Sequence, residues 1–159
     1  DVRGLERVAI IDFDVHHGNG TEDIIAGDER VLMASIFQHP LYPFSGSVPQ
    51  GTNMVNVPIP PYAGGREVRE AIETMWLPRL EAFGAQMFFI SAGFDGHRED
   101  DLGQLGLVEA DYVWITRRVK DLADRTAQGR IVSCLEGGYA LSALARSVAA
   151  HLRVLAEVD

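Results

Sequence analysis

Residues 8–21 read Val8-Ala9-Ile10-Ile11-Asp12-Phe13-Asp14-Val15-His16-His17-Gly18-Asn19-Gly20-Thr21. A short apolar run passes directly into acids, histidines and glycines. Residues 8–11 are few enough for a strand and show no polar alternation, the pattern of a strand buried on both faces of a parallel sheet. In open α/β sheets, sites form beyond the carboxyl ends of the strands. In extended chain, residues two apart point to one side, which gathers Asp12, Asp14 and His16. Two carboxylates and an imidazole crowded together need a compensating cation, and both donor types suit zinc. The competing reading is a solvated loop in which Asp12 or Asp14 caps a helix. The length of the run and its Gly-Asn-Gly ending weigh against that, since glycine lets backbone approach a site closely.

Outward from this stretch, residues 31–37, 87–90 and 131–135 are further strand candidates, with Met54–Ile59 as another. Helical spacing links Val68, Ile72 and Met75, and Pro78 is expected to kink or end that segment. Tyr112, Ile115, Val119 and Leu122 share a second helical face. Leu141, Leu144, Val148, Leu152 and Leu155 share a third. Strands alternating with helices predict an α/β domain with a parallel sheet, residues 1–159 forming one unit. Residues 38–51 carry three prolines and two glycines and read as a long loop.

Two more polar segments follow strand candidates. Residues 91–97 read Ser91-Ala92-Gly93-Phe94-Asp95-Gly96-His97, and residues 136–139 read Glu136-Gly137-Gly138-Tyr139. Asp95 offers a third ligand beside Asp14 and His16; a catalytic zinc commonly takes three protein ligands and leaves a position for water. Alone, Asp95 would pass for a turn former. A tyrosine carried on a glycine pair can donate a hydrogen bond to a developing oxyanion, or simply anchor the helix that follows.

Composition sets outer bounds. Hydrophobic residues make up 47% and charged residues 23%, an ordinary globular mixture. The formal net charge of -9 disfavours direct nucleic-acid binding and suits a cationic substrate. No apolar run approaches membrane-span length, and residues 1–7 are too polar for a secretory signal. Cys134 is the only cysteine, which fits a reducing compartment such as the cytoplasm.

In order along the chain, Asp-Phe-Asp-Val-His-His-Gly-Asn-Gly-Thr, Ser-Ala-Gly-Phe-Asp and Glu-Gly-Gly-Tyr resemble the histone deacetylase family, closest in form to its class II and bacterial acetylpolyamine amidohydrolase members. The resemblance runs from about Val8 to Leu155. It implies an arginase/deacetylase-like three-layer architecture and hydrolysis of an acyl amide on lysine or polyamine nitrogen. It assigns one catalytic zinc to Asp14, His16 and Asp95, and the oxyanion contact to Tyr139. It further implies a structural potassium ion at Asp12 and Ser35 with backbone carbonyls near Asp14, His16 and Ile36. Tyr42 and Leu102 fall where the family lines its acyl-lysine channel, and His17 supports the site without binding metal.

The chain also departs from the family. Members carry an adjacent histidine pair, serving as general base and electrostatic partner, upstream of the first metal motif; here Asp1 stands only a few residues before it. The expectation is an N-terminally incomplete piece of a longer enzyme, weakly active or inactive alone. Its open sheet edge would then be prone to self-association or homo-oligomer formation. Asp101 stands where a proline is common, and Ala140 where a polar residue is usual. Two other functions compete: a non-catalytic metal-containing module that holds acyl-lysine, and an arginase-like hydrolase with two manganese ions. The second needs further acids after His16 and Asp95, where His17-Gly18 and Gly96-His97 stand instead.

Overall fold

All five apolar runs form strands. The computed structural model describes residues 4–158; residues 1–3 and 159 lie outside the described residues. Strands β1 (Val8–Asp12), β2 (Val31–Gln38), β3 (Met54–Ile59), β4 (Met87–Ala92) and β5 (Ile131–Leu135) make one sheet in the order β3-β2-β1-β4-β5, with every pairing parallel. Polar residues extend three of the strands past their apolar runs, because the ladder needs backbone groups and not apolar side chains. Asp12 thus sits opposite Ser35 of β2 on one side and Ser91 of β4 on the other. With β1 central and all strands parallel, their carboxyl ends open on one edge.

Register dictates the core. Ala9 and Ile11 align with Leu32, Ala34, Phe88 and Ile90, and these pack with Val55 and Val57 on one face of the sheet. That face is covered by α2 (Gly65–Ala71), a π-helical turn (Ile72–Trp76), α3 (Leu77–Phe83), α4 (Glu109–Thr126) and α5 (Leu141–Ala156). On the other face, α1 (Asn19–Ile25) sends Glu22 to Asn56 of β3. Towards β5 that face is open, with Phe89 37% and Val132 40% exposed. No helix among the described residues is long and apolar enough to cross a membrane.

Two helical faces differ from the sequence reading. Met75 is exposed, and the buried stripe is Val68, Ile72, Trp76 and Leu80. Its four-residue spacing drifts off an α-helical face, and the wider π turn brings it back in line. Pro78 does not stop the rod: it occupies the first turn of α3, where a missing N–H is tolerated. In α5, Leu141 and Leu152 are exposed, while Ala143, Ser147 and His151 are buried. Small residues let α5 approach closely, and a polar link fixes its rotation. His151 places Nδ1 2.7 Å from Thr116 Oγ1 of α4 and Nε2 3.0 Å from Ser133 Oγ of β5. The face of α4 is as read, with Tyr112, Ile115, Val119 and Leu122 all buried.

Burial holds the His151 imidazole down at about 4. A group whose pKa is lower folded than unfolded takes up its proton first in the unfolded chain. Its contribution is therefore complete above the unfolded value near 6.5 and is lost as pH falls towards about 4. The expected loss between pH 7.5 and pH 5 is about 2 kcal/mol. Urea unfolding at both pH values should show it in the wild type, and His151→Gln should remove that increment from the pH dependence.

Candidate metal centre

Because every carboxyl end lies on one edge, the segments after β1, β4 and β5 converge. One ligand atom from each of Asp14, His16 and Asp95 lies within 4.8 Å of the other two. The imidazole atom is Nδ1, 3.0 Å from Asp14 Oδ1 and 3.1 Å from Asp95 Oδ2. Asp95 is fully buried. Its Oδ1 accepts the Val15 N–H at 3.0 Å, whereas Oδ2, 3.1 Å from His16 Nδ1, accepts no hydrogen bond among the described residues. Asp14 accepts the His16 N–H at Oδ1 and the Gly137 N–H at Oδ2, both at 2.8 Å.

The glycines of the motifs make this convergence possible. A Cβ at Gly93 would stand 2.1 Å from Asp14 Oδ2, and one at Gly137 would stand 2.0 Å from Asp95 Oδ2. Any larger residue would wedge the backbone off the carboxylates. Buried polar atoms are rarely left without a partner. An orphaned carboxylate oxygen beside a second carboxylate and an imidazole nitrogen is a donor set that fits a divalent ion, zinc among them.

Charge tells the same story. Burial pushes the Asp95 carboxyl above its ordinary value, with His16 pulling against it and the Asp14 charge adding to it. Burial would raise Asp14 too, but its contacts with the His16 ring, the His16 N–H and the Gly137 N–H outweigh burial and hold it low. Hydrogen bonding to Asp14 first, and then the pull of Asp95, raises His16 to about 10. A metal needs that nitrogen neutral, so binding at pH 7 is expected to release about one proton per ion. Affinity should fall about tenfold for each pH unit below neutrality. Titration calorimetry in buffers of different ionisation enthalpy counts the proton; a count near zero would contradict the protonated pair.

Tyr139 lines the same cleft, an opening of about 410 Å³ that also touches Asp12, Asp14, His16 and Gly137. Its ring is 57% exposed, and among the described residues its hydroxyl has no hydrogen-bond partner. Desolvation, followed by the charges of Asp95, Asp14 and Asp100, raises its pKa, so the phenol stays protonated and able to donate.

Asp12 lines the same cleft as Asp14 and His16 but stands apart from the three ligand atoms. β1 ends at Asp12 and the next residues turn. The Asp14 N–H bonds back to Asp12 Oδ1 at 3.1 Å, and Asp12 falls outside the ligand trio. It is buried next to Ser35, whose Oγ is also buried and unpartnered. Burial first, then Asp14, pushes the Asp12 carboxyl well above its ordinary value. Ile36 follows in the buried part of β2. Tyr42 is exposed with its ring 6.4 Å from that of His16, and Leu102 is half exposed in the loop beyond Asp95.

His17 turns away from the trio. Its Nε2 pairs with buried Glu22, and its Nδ1 lies 2.8 Å from Ser45 Oγ. Glu22 also accepts the Gln50 N–H at 2.6 Å and the Asn56 side chain at 3.1 Å. This network staples residues 45–50 beneath the metal loop, and sequence reading missed it, because an acid in the first turn of a helix passes for a dipole partner. Asp100 was missed as well. In Arg98-Glu99-Asp100-Asp101 it looks like any solvated acid, yet it is buried and accepts the Tyr139 and Ala140 N–H groups at 2.6 and 2.9 Å.

Comparison with known proteins places this fold. Residues 1–155 match the family model described as the histone deacetylase domain. A type-2 histone deacetylase 2 from Dictyostelium discoideum is 39% identical over 97% of this chain and 10% of its own length. A probable deacetylase from Archaeoglobus fulgidus is 39% identical over 87% of this chain and 40% of its own. The crystal structure of the HDA15 HD domain superposes with a TM-score of 0.90 at 33% identity, covering 99% of this chain and 46% of that one. The chain thus spans less than half the length of these relatives, and over that span it carries their fold. A parallel sheet bearing three converging polar loops, matched by the family model over almost every residue, establishes that this chain belongs to the histone deacetylase family.

Proposed function

We propose that this chain forms the metal-binding part of a zinc-dependent deacetylase that hydrolyses an acyl amide on lysine or polyamine nitrogen. One observation carries the reading: ligand atoms of Asp14, His16 and Asp95 lie within 4.8 Å of one another, and Asp95 Oδ2 accepts no hydrogen bond among the described residues. When bound there, zinc supplies Lewis acidity for the acyl carbonyl and acidifies a coordinated water towards pKa ~7. Asp14 and Asp95 supply two negative charges, and His16 supplies a neutral nitrogen once its proton leaves. Tyr139, protonated and on the same cleft, donates its hydroxyl to the oxygen on which charge develops. His17 is engaged with Glu22 and Ser45, which leaves the proton-accepting role to a histidine pair of the kind the family resemblance implies.

The same proposal gives Asp12, Ser35 and the backbone at Asp14, His16 and Ile36 to a structural potassium ion. The buried Asp12 carboxyl and orphaned Ser35 hydroxyl support it, since both gain from a cation. Tyr42 and Leu102 are proposed to line the path of the acylated chain. The net charge of -9 favours a cationic amine product, such as lysine or a polyamine, and the lone cysteine suits the cytoplasm. One ion is favoured over two because the described residues hold a single group of three such ligands.

The test uses the full-length gene product that contains this chain. With zinc present it is expected to release acetate from a fluorogenic acetyl-lysine peptide or an acetylated polyamine, to stop with a chelator, and to recover with zinc. A zinc-loaded protein that turns over neither substrate would overturn the enzymatic reading in favour of a binding module.

A further inference from the structure

Tyr139 is poorly restrained by its own side chain. The ring is more than half exposed, and among the described residues its hydroxyl has no hydrogen-bond partner. Its position is therefore set by its backbone, which follows two glycines. Gly138 lies at φ 142, a conformation that side chains disfavour. Such a stretch has many alternatives unless something holds it. The loop is held at Glu136 by its N–H to the Ala92 carbonyl, and at Gly137 by N–H to Asp14 and carbonyl to the Phe94 N–H. At Tyr139 itself the backbone anchor is Asp100.

The Asp100 side chain comes from the loop that follows Asp95. Its Oδ2 accepts both the Tyr139 N–H at 2.6 Å and the Ala140 N–H at 2.9 Å, and its Oδ1 accepts the Leu102 N–H at 3.0 Å. The carboxylate is buried, and its own N–H bonds the His97 carbonyl at 2.8 Å. Ala140 is the N-cap residue of α5 and provides no side-chain cap of its own. Asp100 therefore meets the N-cap amide of that sixteen-residue helix from a different loop, at an end where a negative charge is favoured. In doing so it ties the backbone of Tyr139 to the segment that carries a metal ligand five residues earlier.

We propose that Asp100 is a positioning residue for Tyr139: it sets the distance between the phenol hydroxyl and the metal trio by clamping the Tyr139 and Ala140 amides. The inference rests on the deacetylase reading above, in which Tyr139 donates to the oxyanion. Both carboxylate oxygens are engaged, Oδ2 by the Tyr139 and Ala140 amides and Oδ1 by the Leu102 amide. An asparagine keeps one acceptor, so it can serve either the Tyr139 and Ala140 amides or the Leu102 amide, with its NH₂ group turned towards the others.

The experiment is a double-variant cycle on the zinc-loaded full-length protein, using Asp100→Ala, Tyr139→Phe and the pair combined. Tyr139→Phe should lower kcat about a hundredfold or more. Asp100→Ala should approach that loss, with KM and zinc stoichiometry unchanged, and should cost little further when Tyr139 is already phenylalanine. Asp100→Asn should fall between, and hydrogen exchange at the Tyr139 and Ala140 amides should quicken in step with the loss of kcat. If Asp100→Ala does not fold, the same cycle is read with Asp100→Asn. Losses that multiply in the combined variant, or zinc lost on changing Asp100, would overturn the positioning role while leaving the deacetylase reading in place. A Tyr139→Phe variant as active as the wild type would overturn the positioning role together with the oxyanion contact assigned to Tyr139, and a zinc-loaded wild type with no turnover would overturn the deacetylase reading itself.

Discussion

Asp95→Asn is expected to lose stoichiometric zinc without unfolding. Asp95 is fully buried, and asparagine has nearly its shape and keeps an oxygen for the Val15 N–H. The substitution removes a charge that burial and the neighbouring Asp14 both oppose, so the metal-free protein should melt no lower than the wild type. It also removes the one oxygen in the trio that lacks a protein donor. Losing an outer hydrogen-bond partner of a metal ligand costs roughly 10–100-fold in affinity. Losing a charged ligand should exceed the upper end of that range. Zinc at a thousand times its Kd should stabilise the wild type by about 4 kcal/mol, and the variant should show no such shift. Competition with a chromophoric chelator and melts with and without zinc read both quantities. An Asp95→Asn protein that keeps one tightly bound zinc would remove Asp95 from the centre.

Tyr139→Phe has the second large effect, and it falls on turnover. Removing one oxyanion donor typically costs about 10²–10³ in kcat. Tyr139 is mostly exposed and among the described residues its hydroxyl has no hydrogen-bond partner, so stability should change by less than about 0.5 kcal/mol. The hydroxyl acts on charge that appears during the reaction, so kcat and kcat/KM should fall together while KM holds. In the wild type, desolvation and the nearby acids raise the phenol pKa, and the donor should persist to higher pH than an ordinary tyrosine. Equal zinc content in both proteins is the control. A Tyr139→Phe enzyme with unchanged kcat would shift the oxyanion contact to another group.

The two substitutions separate binding from chemistry. Asp95 is fully buried, while Tyr139 is more than half exposed and lines the cleft. The positioning role argued for Asp100 joins them, since one loop carries both Asp95 and the clamp on Tyr139.

Much of this was legible in the chain itself. The five apolar runs define the strands, and the polar bursts directly after three of them place Asp14, His16, Asp95 and Tyr139 at strand ends, because a parallel sheet brings all such ends to one edge. Local spacing suffices for features of that kind. It does not suffice where a distant partner decides. Leu141 and Leu152 have helical periodicity and remain exposed, because His151 is held by Thr116 and Ser133 from two other elements. The depth of Asp12 is likewise a tertiary matter, fixed by its ladder to Ser35 and Ser91.

The sequence by itself determined the five strands and three of the helical segments, and it named the residue types proposed to hold the metal, since these are written in residue types at short spacing. Tertiary structure alone decided which acids are buried. Asp100 and Asp101 are adjacent and chemically alike, yet one clamps Tyr139 from the interior and the other lies exposed. Glu22 likewise became the buried partner of His17 only when β3 and residues 45–50 closed over it. Burying a carboxylate is costly without donors to meet it, and the backbone and amide donors that reach Glu22 and Asp100 from elsewhere in the fold stand 28 to 40 residues away.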